Sequence, residues 1–211
     1  MSVDVAHVRP ARPKDANALA NTYEEAWRGA YQGIIPHLHL ERMIARHGPR
    51  WWNHVLQRRA SVLVLDFGGE VAGYVTFGRS RIGRGPFAGE IFELYLHPTY
   101  QGLGLGSKLF NGARQKLREM RLNGLLVWAL ADNETACDFY LHLGGKPVAE
   151  GSSASMKRAC ARSHLRGAER IPTDLVPINR MHSAGLNDRT PIVTRWRGDG
   201  RNGIDVRVRH A

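Results

Sequence analysis

Apolar and polar positions follow two different periods over the first 150 residues. Val5 to Arg9 reads as a first strand. Pro13-Lys14-Asp15 opens a helix in which Ala16, Leu19, Ala20, Tyr23 and Trp27 recur three and four apart. Gly29, Gly33 and Pro36 interrupt that pattern, and a second helix is expected over His39 to Gln57. Ser61 to Asp66 is a compact apolar strand. Gly68-Gly69 turns it back into Val71 to Phe77, a hairpin signal. Gly83, Gly85 and Pro86 mark another turn before a strand from Gly89 to His97. The cleanest helical stripe is Leu105, Leu109, Ala113 and Leu117, within a helix expected over Gly106 to Arg121. Phe110 and Met120 flank the stripe, and Lys108, Arg114, Lys116 and Arg118 face elsewhere. Asn123-Gly124 ends it. Leu125 to Leu130 predicts a buried strand. Asp132 or Asn133 then caps a helix from Glu134 to Leu143, stopped by Gly144-Gly145, with a short strand over Lys146 to Ala149.

Beyond Gly151 the periodicity dissolves. Pro172, Pro177 and Pro191 interrupt the chain, and only Ile192 to Trp196 reads as a late strand. Ile204, Val206 and Val208 alternate without an evident partner. The organisation read from this is a domain over residues 1–150 and a basic extension over 151–211, carrying a last sheet strand near 191–197. About forty residues precede that strand, long for a structureless connection in a compact domain. A lid over the acceptor, an arm in a homodimer, and disorder are the roles open to it. The element order implies an α+β fold, a mixed sheet flanked by helices.

Charge alters the picture mainly at the C-terminal end. The net charge of the 211 residues is +11, and residues 151–211 supply +7 of it. A basic surface favours anionic partners. No basic motif interleaved with aromatics supports nucleic acid as the target. No apolar run has the length of a membrane span, and the first residues lack the pattern of a secretory signal. Two cysteines, Cys137 and Cys160, without a C-x-x-C pair, fit a reducing, cytoplasmic setting. His37 and His39 have no matching pair at zinc spacing, so no metal site is expected.

The segment Gln101-Gly102-Leu103-Gly104-Leu105-Gly106 carries the chemistry. It follows a strand and opens a helix, which puts bare backbone N–H groups at the positive end of a helix dipole, where a phosphate can sit. The glycines are at alternate positions, so this is neither the dinucleotide fingerprint nor a Walker A loop.

In that setting the chain resembles the GNAT N-acetyltransferase superfamily. Gln101 to Gly106 matches the family signature Arg/Gln-x-x-Gly-x-Gly/Ala in full, and Leu94 to Tyr100 resembles its strand-and-loop lead-in. Asn133 to Gly145 is similar to the second motif, with Gly145-Lys146 in place of the usual Gly-Phe. The resemblance covers residues 5 to 150. It implies a mostly antiparallel, twisted sheet of six or seven strands with about four helices, and acetyl-CoA as co-substrate. Pantetheine would pair with backbone at Leu94 and Leu96, beside Tyr95. The pyrophosphate would take N–H groups from the Gln101, Gly102, Leu103, Gly104, Leu105, Gly106, Ser107 turn. Asn133 would hold the pantetheine amide and Phe139 would pack on the arm.

Acetyl transfer to an amine requires a base for the amine, a donor for the thioester oxygen and an acid for the leaving sulfur. The resemblance assigns the acid to Tyr140, the oxyanion donor to backbone near Leu96, and the base first to Glu90, then to Glu93. On a regular strand those two glutamates face opposite ways. Trp27 and Tyr31 would wall the acceptor cleft, with core packing as their alternative role. The acceptor would be an amine of a small molecule or a protein. A module that binds acyl-CoA without catalysis, with a basic tail gripping a protein or RNA, is the competing reading.

Overall fold

Arg9 joins three segments at the start of the chain. The structure, a computed structural model, describes residues 5–81, 87–130, 132–147, 191–196 and 204–207. Arg9 lies in β1 (Ala6–Pro10) and forks onto Asp15 at 2.7 and 3.0 Å, while its Nε donates to Asp66 at 2.9 Å. Asp15 closes a 3-10 turn (Pro13–Asp15) and also accepts from the Arg12 N–H at 2.7 Å. That turn leads into α1 (Ala16–Tyr31). Asp66 lies in β2 (Val62–Phe67) at a register shift against β3 (Glu70–Arg79), and it accepts from the Gly69 N–H at 2.9 Å. Both Gly68 and Gly69 have positive φ, as a tight hairpin turn demands.

The second helix divides. Residues expected as one helix form α2 (His37–Ala45) and α3 (Pro49–Gln57). Pro49 has no N–H to give and disfavours helical geometry at the residue before it, and Gly48 is extended at ψ 179°. The chain continues through β4 (Gly89–Leu96), a 3-10 turn (Pro98–Tyr100), α4 (Leu105–Glu119), β5 (Leu125–Leu130), α5 (Glu134–His142) and β6 (Lys146–Pro147). It ends in β7 (Pro191–Trp196) and β8 (Ile204–Arg207). Eight strands and five α-helices thus stand among the described residues, against six or seven and about four expected. Part of the difference is β8, whose partner β7 comes before it in the chain and pairs with it antiparallel. The expected turn at Gly83, Gly85 and Pro86 lies outside the described residues, as does most of the 151–211 extension.

The chain divides into two compact units, one from Met1–Phe77 and Glu93–Lys116, the other from Gly78–Phe92 and Leu117–Ala211. In the first, β1, β2 and β3 pair antiparallel in order, and the end of β4 lies next to β3. Its two sheet faces are covered differently. Tyr74 pairs with Val64, and its ring meets Trp52 of α3 edge-on at 4.9 Å. Leu63 and Val8 point to the opposite face, where α4 brings Gly112 against both. Leu109, Phe110 and Ala113 of α4 are buried, as the stripe predicts. In the second unit the start of β4 pairs parallel with β5, and β5 pairs antiparallel with β7. The parallel β4–β5 pair beside antiparallel neighbours makes the sheet mixed.

Candidate active site

The end of β4 and the turn after it form the first element of the site. The His97 N–H donates to the Ala72 carbonyl at 2.9 Å, and the Tyr95 carbonyl lies over Gly73. Peptide groups alternate along a strand, so those of Leu94 and Leu96 turn to the edge away from β3. The pairing of β4 with β5 covers only Gly89, Glu90 and Ile91. Leu94, Tyr95 and Leu96 are half-buried. Gln101 donates from Nε2 to the Leu96 carbonyl at 3.2 Å, which ties the glycine turn to the strand end.

The turn itself is exposed from Gln101 to Gly104. Gly102 and Gly104 have φ of +77° and +71°, and a Cβ at either would project into open space. Leu103 between them is 61% exposed. α4 starts at Leu105, so its first turn begins at this open surface, with the Ser107 N–H donating back to the Gly104 carbonyl at 3.2 Å. The backbone has the conformation glycine alone adopts without strain, and the space above it is unfilled. That fits a diphosphate cradled by main-chain amides. Acetyl-CoA brings such a diphosphate, and Leu103 to Ser107 are the residues that would hold it.

The second element is a layer of aromatic rings around Glu93. Tyr23, Trp27 and Tyr31 follow at spacing four along α1, and all three are buried. Tyr23 stacks on Trp27 at 4.9 Å and on His47 at 4.5 Å; Trp27 meets Tyr31 at 4.8 Å. Tyr95 touches four rings, those of Tyr23, Trp27, Tyr31 and Tyr74, at centroid distances of 5.9–6.5 Å. The Tyr31 and Tyr95 hydroxyls hydrogen-bond at 2.8 Å. Glu93 is 4% exposed and accepts from the Tyr74 hydroxyl at 3.2 Å. Burial raises the Tyr23, Tyr74 and Tyr95 hydroxyls well above the ordinary tyrosine range, and the Glu93 charge adds to this for all three. They remain protonated donors at neutral pH. Tyr23, Tyr74 and His47 did not stand out in the sequence as site residues. The signal was available: period two puts Glu93 and Tyr95 on one face, and the α1 stripe points three rings the same way.

The second unit carries the remaining candidates. Glu90 is fully buried and held by Arg81, whose backbone N–H donates at 2.8 Å and whose Nε donates at 2.9 Å, with a further ion pair from its terminal nitrogen. The Arg81 guanidinium lies over the Phe92 ring at 4.8 Å. Asn133 caps α5, its Oδ1 accepting from the Ala136 N–H at 3.1 Å, which leaves Nδ2 as its group for a pantetheine carbonyl. Tyr140 is 5% exposed and packs edge-on to the half-buried Phe139 at 5.1 Å. Burial pushes the Cys137 thiol up to about 11, which makes it a poor nucleophile. Among the described residues no three His, Cys, Asp or Glu side chains cluster as metal ligands do, and no helix is long and apolar enough to cross a membrane.

Known proteins are similar to this chain in sequence and in fold. The profile of the acetyltransferase (GNAT) family matches residues 17–144. The chain is 26% identical to the uncharacterised N-acetyltransferase YuaI of Bacillus subtilis, over 68% of this chain and 82% of that protein. It is 30% identical to the mycothiol acetyltransferase of Paenarthrobacter aurescens, over 57% of this chain but only 38% of the relative. Its fold is similar to the PaiA N-acetyltransferase of Thermoplasma acidophilum, solved with coenzyme A, at a TM-score of 0.62 and 18% identity over 70% of this chain and 94% of that one. The family match covers well over half the chain and spans both the glycine turn and the Tyr140 helix: the chain belongs to the acetyltransferase (GNAT) family and is an acetyl-CoA-dependent N-acetyltransferase.

Proposed function

We propose that the enzyme moves the acetyl group directly from acetyl-CoA to a primary amine of a small molecule or a protein, with both substrates bound together. The observation that carries this is the glycine turn. Two glycines at positive φ, with open space where a side chain would be, lead into a helix, and a short 3-10 turn joins them to a strand end whose Leu94 and Leu96 amides face outward. When bound, acetyl-CoA supplies an electrophilic thioester carbonyl and a thiolate leaving group.

The chain's own residues would do the rest. The Leu96 N–H donates to the carbonyl oxygen as negative charge grows there. Glu93 takes the proton from the amine. It is the better of the two glutamates because Glu90 is already committed to three donors of Arg81. Tyr140 gives its proton to the departing sulfur, a role supported by its place in the second motif beside Phe139. The two cysteines suit a reducing compartment, so we place the reaction in the cytoplasm.

The test is purified protein with acetyl-CoA and a panel of amine classes, reading the release of coenzyme A thiol. Turnover with at least one primary amine and none with the matching alcohol supports the reading. Binding of acetyl-CoA without turnover on any amine supports the non-catalytic module instead.

A further inference from the structure

The helix pair α2–α3 turns an apolar face inward and a cationic face to solvent. Leu40 and Ile44 of α2 and Trp52 and Val55 of α3 are buried, whereas Arg42, Arg46, Arg50, Arg58 and Arg59 are exposed. Between His37 and Arg59 the sequence has one acid, Glu41, and Arg28 of α1 holds it through two nitrogens. The guanidiniums of the five exposed arginines have no hydrogen-bond or ion-pair partner among the described residues. Arg42 and Arg46 follow one turn apart on the same side of α2, about 6 Å along its axis, and Arg50 comes just after the turn into α3. This row begins near the end of β4. The Arg28–Glu41 pair ties the start of α2 to the last turn of α1. Tyr31 in that turn hydrogen-bonds Tyr95 of β4, and a Cβ on Gly29 would lie 3.9 Å from Pro98, two residues past the strand.

Resting on the acetyltransfer reading above, we propose that this face docks an acidic protein segment that carries the acceptor amine. Each guanidinium is a planar fork that matches a carboxylate. Alternate side chains of an extended peptide recur about every 6.6–6.8 Å, close to the rise between Arg42 and Arg46. The partner comes from outside the chain: the 151–211 extension carries +7 and a second copy +11, so neither supplies the complementary charge. A single-stranded nucleic acid fits less well, because such sites stack bases on exposed rings. Among the described residues no Phe, Tyr or Trp is exposed, and the half-buried Trp51 packs edge-on to His47 and Trp52. A membrane surface fits less well too, because the apolar faces of α2 and α3 are already buried and have nothing to insert. An exposed ion pair adds up to about fivefold in affinity and fades with salt, so three together give on the order of tenfold.

The experiment gives the full chain two short peptides with free N-termini, one with Asp and Glu at alternate positions and the other with Asn and Gln in their place. Binding is followed by anisotropy of a C-terminal dye, and acetylation by release of coenzyme A thiol. The expected result is binding of the acidic peptide about tenfold tighter at low salt, an advantage that shrinks as salt rises to about 500 mM. Its KM should be lower by the same factor at similar kcat, because contacts remote from the reacting atoms bind ground and transition states alike. Arg42→Gln with Arg46→Gln should bring the preference down to about twofold while acetyl-CoA still binds. The same charge change at Lys116 and Arg118 of α4 should leave the preference intact, which separates a local face from the net charge of the chain. Equal binding of the two peptides overturns the proposal, as does equal loss of preference in both double variants. Tighter binding of a single-stranded oligonucleotide of equal charge, or of phosphatidylglycerol vesicles, overturns it as well. The peptide comparison on the unmodified chain decides the matter even if a variant misfolds. Acetylation of small amines with no preference for the acidic peptide defeats this inference alone, whereas no transfer to any amine defeats the reading it rests on.

Discussion

A Cβ atom on Gly73 would lie 2.7 Å from the carbonyl oxygen of Tyr95 and would overlap the Leu96 side chain. Glycine at this position lets β3 approach the strand end that carries the Leu94 and Leu96 amides. A backbone oxygen cannot rotate away as a side chain can. Gly73→Ala should therefore displace the end of β4, at a cost of about 1–3 kcal/mol from overpacking, and weaken acetyl-CoA binding at the same time. Thermal unfolding together with calorimetric titration checks this. A variant of unchanged stability and affinity would show that the strands have room to spare.

Gly104 gives the opposite outcome for stability. A side chain there meets nothing in the protein, but φ is +71°. Gly104→Val should keep the fold, at about 1–2 kcal/mol of backbone strain, and lose acetyl-CoA affinity because its Cβ and methyl groups occupy the approach to the amides. Circular dichroism and a coenzyme A titration separate the two effects. Normal coenzyme A affinity in this variant would remove the turn as the phosphate site.

The Arg9 fork makes stability depend on acid. Burial works against the charge of Asp15, but the Arg9 guanidinium and the Arg12 N–H outweigh it and hold its carboxyl below the usual range. Arg9 also lowers Asp66. A carboxyl lowered on folding adds stability above its unfolded value and loses it as pH falls through the folded value. Stability from this cluster should be complete at neutral pH and decline below about pH 4. Arg9→Met leaves two carboxylates unpaired and should cost about 3 kcal/mol at pH 7. It should also flatten the acid limb of a denaturant-midpoint profile taken from pH 3 to 7.

The two glutamates should separate by what each loses. Glu93→Gln removes the proposed base and should cut kcat/KM by about a hundredfold at unchanged acetyl-CoA affinity. Glu90→Gln leaves Arg81 facing a neutral partner and should lower stability with little effect on the chemical step. Tyr140→Phe should cut kcat by about a hundredfold and leave acetyl-CoA binding intact. Steady-state kinetics on the three variants distinguish these. An active Tyr140→Phe enzyme would remove that hydroxyl from the reaction.

The parts of this molecule written in local pattern were legible in the sequence. The Leu105, Leu109, Ala113, Leu117 stripe faces inward, Gly68-Gly69 turns a hairpin, and Asn133 caps α5. The break at Gly48-Pro49 was equally local and was passed over because apolar residues continue on both sides of it. Long-range pairing was not legible. Nothing near Glu90 announces Arg81, nine positions earlier in the chain, as its partner. The ring layer draws Tyr23, Tyr74 and Tyr95 from three elements and His47 from the turn between α2 and α3, and their meeting depends on how α1 and the helix pair α2–α3 lie on the sheet. The alternation of Ile204 and Val206 was visible, but so short a run gains meaning as a strand only from the neighbour it pairs with.

The central claim is that main-chain amides at the end of β4 and the start of α4 hold the diphosphate and pantetheine of acetyl-CoA. Titrating isotopically labelled protein with coenzyme A and following each backbone amide by NMR tests it most directly. The account predicts that the amides of Leu103 to Ser107, together with Leu94 and Leu96, move first and furthest, with those of β1 and β2 unmoved. Saturable binding that shifts other amides and leaves Leu103 to Ser107 in place would contradict it.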